Sequence, residues 1–267
     1  MQLSEFHHVV DFVLPPATAM PGDNIGMQVA SRRGTARNVL VCLEVTDAVL
    51  QEADDLRCDV ILTFHPLIYA PITRLDRSDR VGRLICDLVA RDIALVCVHT
   101  SFDVFPQGTN HILALQLGLT PIRSLDVSGM GLIASVDSMP FDAFVQNVAN
   151  ICGGPVRYVA PPSDVVNLVA IVGGSGMSFF DIAVQNSVDV FVTADVKYHA
   201  LLAAQGVVGL ADPGHYEMEQ FVPEGLVHAL RPHLPGDATM RATTVVTNPA
   251  RWSVPDRLHS LTHSFTQ

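Results

Sequence analysis

Charge is scarce in this chain. Only 16% of its 267 residues are Asp, Glu, Lys or Arg, against 49% hydrophobic, a balance that excludes a solvated, disordered polymer and demands extensive burial. Positive charge is the scarcer sign: 16 Lys and Arg face 27 Asp and Glu, for a net charge of −11. No basic stripe interrupts the acidic balance, so neither nucleic acid nor an anionic membrane surface is an expected partner. Long apolar runs are lacking as well. No stretch of 18 apolar residues occurs, which leaves no transmembrane helix to expect. The opening Met1-Gln2-Leu3-Ser4-Glu5-Phe6-His7-His8 has no basic segment followed by an apolar one, so no secretory signal is read and a cytoplasmic location is expected. Five cysteines, an odd number without a CxxC pair, argue for reduced, buried thiols rather than a disulfide framework.

What the chain does have is short apolar runs at regular intervals. Strands are expected at 38–44, 59–63 and 93–98, with helices over 46–57, capped by Thr46, and over 80–91. A first helix, capped by Ser4, places Leu3, Phe6, Val10 and Val13 on one face and stops at Pro15-Pro16. Another opens at Gly108-Thr109-Asn110 and runs to Leu117, and further strands are expected over 241–247. Strand alternating with helix specifies an α/β fold with mostly parallel or mixed sheets.

The plan is then repeated. Setting Leu40 to His65 beside Ala170 to Asp195, at a constant spacing of 130, aligns Ala53 with Ala183, Asp59 with Asp189 and Thr63 with Thr193. Two related α/β domains are therefore expected, over 1–126 and 127–210. A C-terminal segment, 211–267, would return to a metal cleft between them. The third strand of each half leads to a His-x-x-x-acid pair, His99 with Asp103 and His215 with Glu219, while His65 follows the strand before His99. Sites in open parallel sheets form beyond the carboxyl ends of strands, so these residues can meet. Imidazoles and carboxylates are the donor set of a divalent cation. On spacing alone two accounts stand: a metal cluster, or unrelated loop residues in a chain with eleven histidines.

Five stretches favour the first account. Asp23-Asn24-Ile25-Gly26-Met27-Gln28, Thr63-Phe64-His65-Pro66-Leu67, His99-Thr100-Ser101-Phe102-Asp103 with Gly108-Thr109-Asn110, Thr193 to His199, and Gly214-His215-Tyr216-Glu217-Met218-Glu219 occur in one order. In this the chain resembles the NIF-three-like family, also called GTP cyclohydrolase one type-two homologues, in its short form, from about Gly22 to Asn248. The resemblance implies a dinuclear metal site. His65, Asp103 and Glu219 would hold one ion, and His215 and Glu219 a second, with Glu219 bridging. His99 would be a neighbour that orients a ligand. The family has His-His-Pro where this chain has Phe64-His65-Pro66, so one firmly held ion (Zn, Fe or Mn) is expected, with the second weak or absent. A homohexameric ring is also implied.

Other features lead elsewhere. His7 and His8 diverge by about 100° on a helix and cannot converge on one ion. Gly173-Gly174-Ser175-Gly176 matches no nucleotide fingerprint and is read as close backbone packing rather than a phosphate cradle. Lys197 is either an anion holder or a solvated loop residue. The favoured function is metal-activated hydrolysis of a nucleotide-like or phosphorylated small molecule. A metal carrier or delivery protein, and a catalytically impaired scaffold for a partner protein, are the alternatives.

Overall fold

The computed structural model describes residues 1–253. The part of the expected C-terminal segment beyond residue 253 lies outside the described residues.

The chain opens with α1 (Leu3–Val13), whose apolar face buries Leu3, Phe6 and Val10. Its cap is Gln2 rather than Ser4: Glu5 reaches back to accept from the Gln2 backbone N–H at 2.8 Å, and this capping box starts the helix two residues earlier. Strands β1 (Gly26–Val29), β2 (Asn38–Cys42), β3 (Val60–Thr63) and β4 (Ala94–Cys97) follow, with α2 (Asp47–Asp55) and α3 (Arg80–Arg91) between the parallel strands. Thr46 caps α2, accepting from Val49 N–H at 3.2 Å, and Asp79 caps α3. β2, β3 and β4 are parallel neighbours, and β1 runs antiparallel on the β4 edge.

These strands are buried on both faces, which is why they read as continuous apolar runs. Alternate residues serve two layers. Val39, Val41, Val60, Leu62 and Val96 face α1, whereas Leu40, Ile61 and Leu95 face α2 and α3.

After β4 come two helices, α4 (His99–Asp103) and α5 (Thr109–Gln116), and then the second unit. It comprises β5 (Thr120–Ser124), β6 (Leu132–Pro140), α6 (Phe141–Cys152), β7 (Arg157–Val159), β8 (Val165–Ile171), α7 (Phe180–Gln185), β9 (Val190–Val192), α8 (Tyr198–Ala204) and β10 (Gly209–Asp212). Its mixed sheet has the order β5-β6-β8-β9-β10-β7, again with helices on both faces. The expected boundary at 126/127 falls inside this unit. β5 pairs antiparallel with β6, and Leu113, Ala114 and Leu117 of the α5 region already belong to the second core.

The chain then returns. After α9 (His215–Glu219), α10 (Val222–Leu230) buries Val222, Leu226 and Leu230 in the first core, and β11 (Thr239–Ala242) adds a parallel strand beside β2. The strand is shorter than the expected 241–247. Glu52 accepts from Thr244 N–H at 2.9 Å and from the hydroxyls of Thr243 and Thr244, and these bonds take the chain out of the sheet after Ala242. Among the described residues no helix is long and apolar enough to cross a membrane.

The expected repeat is present down to its hydrogen bonds. Leu40 pairs with Ile61 and Ala170 with Phe191, the same register 130 residues on. Asp59 accepts from the N–H groups of Arg37 and Asn38, and Asp189 from those of Asn167 and Leu168. Arg57 and Ser187 both take a left-handed backbone, at φ 54° and 53°, in the turn before the aspartate. Each aspartate thus fastens the start of its parallel pair. Asp59→Ala and Asp189→Ala should each lose about 2 kcal/mol, the worth of backbone hydrogen bonds to a charged acceptor. Urea denaturation of the two variants checks this, and a loss in only one would show that the halves are not mechanically equivalent.

Candidate metal centre

The strand ends of the two sheets converge. His65 lies two residues past β3 in the first sheet, and α9 follows β10 in the second. Ligand atoms of His65, His215 and Glu219 lie within 4.8 Å of one another, a grouping that could hold a metal ion. Glu219 Oε2 stands 3.2 Å from His65 Nε2 and 3.1 Å from His215 Nε2. It is buried and nevertheless accepts no well-directed hydrogen bond. A buried carboxylate oxygen facing two imidazole nitrogens without such a bond is the geometry of donors directed at a common point, and the donor set suits a borderline divalent cation.

Each imidazole is turned toward that point by a carboxylate on its other nitrogen. His65 Nδ1 is 2.9 Å from Glu44 Oε1, and His215 Nδ1 is 2.7 Å from Asp195 Oδ2. Such partners fix ring orientation and tautomer. His99 repeats the arrangement with Asp23, at 2.8 Å, but its ring lies 5.5 Å from that of His65 and outside the three-residue grouping. Asp23 also accepts from the N–H and hydroxyl of Thr100, while Gln28 donates to and accepts from Ile68. The 23–28 stretch therefore anchors both α4 and the segment after His65.

Asp103, at the end of α4, also stands outside the grouping, yet its Oδ1 is buried without a partner and it senses the same charge. Burial and repulsion from Glu219 push it up to about 7. Phe64 is fully buried in the first core, with its ring 4.8 Å from that of His65, so the site wall at this position is apolar.

The glycine-rich turn contributes space. At Gly174, with φ +59°, a Cβ would stand 2.6 Å from Glu219 Oε1 and 3.0 Å from His215 Nε2, so a side chain here would intrude on the donors. Gly176 N–H donates to Thr193 Oγ1 and a Cβ there would strike Val172, in keeping with close packing rather than a phosphate cradle. Lys197 is exposed and does not line the cleft beside the donors.

Glu44 and Asp195 were missed as orienting residues. Glu44 follows β2 at a strand carboxyl end, the one signal available, but an isolated acid carries no motif. Asp195 follows β9 and reads as a loop residue because its partner lies 20 residues on.

Burial opposes charge on His65, but the carboxylates of Glu219 and Glu44 outweigh it and lift the ring to about 10. Attraction to Glu219 raises His215 to about 9 against its own burial. Burial would raise Glu219, yet the two imidazoles hold it down at about 2. The metal-free cluster is thus an ion-paired one. The raised imidazoles stabilise the fold fully below their ordinary 6.5 and lose that contribution as pH rises through about 9 and 10. Glu219 contributes above its ordinary 4.5 and loses the contribution as pH falls through about 2. Asp103 removes stability between its ordinary 3.8 and about 7. The melting temperature of chelator-treated protein should therefore fall as pH rises from about 6.5 to about 10. His215→Ala should flatten that decline, and an equally steep one in the variant would remove the cluster as its cause.

Comparison with known proteins matches the same frame. The family model described as Duf34/NIF3 (NGG1p interacting factor 3) matches residues 1–249. The GTP cyclohydrolase 1 type 2 homolog of Lactococcus lactis is 30% identical over 230 residues, covering 83% of this chain and 89% of the relative. That of Streptococcus pneumoniae is 30% identical over 227 residues, covering 81% and 85%. Among solved structures, a hypothetical protein of Staphylococcus aureus superposes with TM-score 0.87 at 27% identity, covering 95% of this chain and 99% of its own. A Bacillus cereus protein related to NIF3 shares the fold with TM-score 0.89 at 22% identity, covering 95% and 99%.

Proposed function

Because the chain belongs to the Duf34/NIF3 family, we propose that it is a metal-dependent hydrolase acting on a nucleotide-like or phosphorylated small molecule. The observation that carries this reading is the buried Glu219 oxygen held between two imidazoles that line a cleft of about 940 Å³, large enough for such a substrate. His65, His215 and Glu219 would hold a divalent ion, zinc, iron or manganese, which would supply Lewis acidity for water activation and polarisation of the scissile bond.

The residues have separable tasks. His65, His215 and Glu219 hold the ion, and Asp103 lies behind them as a further carboxylate. Glu44 and Asp195 keep both Nε2 atoms directed inward, so the donors need little rearrangement when an ion arrives. Gly174 keeps the approach open. A second ion would have to rely on His215 and Glu219, because Phe64 offers no donor; one tightly held ion per chain is the reading.

Metal content after purification separates these roles. Glu219→Gln should lower the bound metal at least about tenfold, as expected for loss of a first-sphere ligand, whereas Glu217→Gln should leave it unchanged. Asp103→Asn should weaken it less than Glu219→Gln. Wild-type metal content in both Glu219→Gln and Asp103→Asn would sink the site, and two tightly bound ions per chain would sink the one-ion reading. Single-turnover assays on a phosphoester and nucleotide panel distinguish hydrolysis from metal carriage, which gives no product.

A homohexamer is proposed as the working assembly. Tyr198 and Leu202, one turn apart on α8, are exposed, as are Tyr158 and Val207. Such apolar surface suits subunit contact. Sedimentation at micromolar concentration should give a species several times 28.8 kDa, and a clean monomer would refute self-association.

A further inference from the structure

The walls of the cleft carry charges of both signs, most of them already paired. Glu44, Asp47, Asp195 and Glu217 line it, together with Arg80, whose guanidinium donates to the Val45 carbonyl at 3.0 Å, and the imidazoles of His65 and His215. Three of the four carboxylates are engaged: Glu44 by His65, Asp195 by His215, and Asp47 by Arg83 at 2.8 Å.

Glu217 is different. It is only 8% exposed, and Oε1 accepts one neutral hydrogen bond, from Asn248 Nδ2 at 2.9 Å, while no donor among the described residues reaches Oε2. With no donor on Oε2 among the described residues and that oxygen reached by solvent, Glu217 offers the cleft a carboxylate without a cationic partner. The surroundings are shaped to admit it. A Cβ on Gly214 would stand 2.3 Å from Glu217 Oε2, and one on Gly154 would stand 3.4 Å from its Cγ. Gly214 also has φ +102°, a backbone that side chains rarely adopt. The same cleft is lined by three aromatic residues, Tyr69, Tyr216 and Trp252. Carboxylate with aromatic faces is the chemistry that binds positively charged nitrogen.

We propose that the cleft takes a small molecule bearing a positively charged nitrogen, an ammonium or a guanidinium, with Glu217 as its anchor. The proposal rests on reading this cleft as the substrate site and narrows that substrate: any phosphate must be met at the donor cluster, and the opposite end is cationic. Glu217 lies between His215 and Glu219 in sequence but projects from another face of α9, so it serves the ligand rather than the ion.

Trp252 is the only tryptophan of the chain and lines the cleft, so its emission reports occupancy. Chelator-treated, full-length protein would be titrated at neutral pH with agmatine, with uncharged 1,4-butanediol and with inorganic phosphate, the same titrations being followed by calorimetry. Agmatine should saturate at a Kd at least about tenfold below that of butanediol, the margin of a charge-assisted hydrogen bond, and phosphate should not saturate. Glu217→Gln, nearly isosteric, should weaken agmatine about tenfold without lowering the unfolding midpoint or zinc uptake. The proposal is overturned if agmatine binds no tighter than butanediol, if it binds Glu217→Gln equally well, if neither emission nor heat responds, or if phosphate saturates instead. Zinc uptake by the same preparations tests the donor cluster separately: its loss with agmatine binding intact would refute the metal reading alone.

Discussion

The site depends on one constraint: the Glu219 carboxylate is buried where only cations can sustain it. Two imidazoles meet it from different sheets, His65 from the first and His215 from the helix after the last strand of the second. Removing either partner leaves a buried charge undercompensated, so the positions of both sheets and the lengths of their strand-end segments are tied to this contact. The orienting acids, the bare Gly174 and the Asp23 anchor all hold that geometry without entering it.

The duplicated plan supplies the site and then departs from symmetry. His99 with Asp23 in the first half mirrors His215 with Asp195 in the second, each at the start of a five-residue helix after the third strand. The first half places Asp103 where the second places Glu219, four residues on. The longer glutamate meets both imidazoles, whereas Asp103 remains outside the three-residue grouping. Two similar frames thus build one unequal centre.

Much of this was legible in the sequence because strands buried on both faces leave unbroken apolar runs, and a repeat of Asp59 and Thr63 at Asp189 and Thr193 fixes register. α3 has the expected limits because Asp79 and the apolar spacing agree. The α1 cap was misread because a glutamine takes the place of a short hydroxyl. The end of β11 depends on Glu52, about 190 residues away, and no local pattern encodes it. At the site, the residues after strands stood out, whereas Glu44 and Glu217 did not. Their significance lies in burial and in the partner each faces, which spacing does not reveal.

The return of the chain has a consequence for biosynthesis. The second sheet is built from one uninterrupted stretch, Thr120 to Asp212, and can close as soon as that stretch leaves the ribosome. The first sheet cannot. Its β2 edge stays bare, and its α1 layer lacks α10, until Thr239–Ala242 has been synthesised. Until β11 is made the N-terminal third is therefore an open sheet with a bare β2 edge, dependent on whatever shields nascent chains.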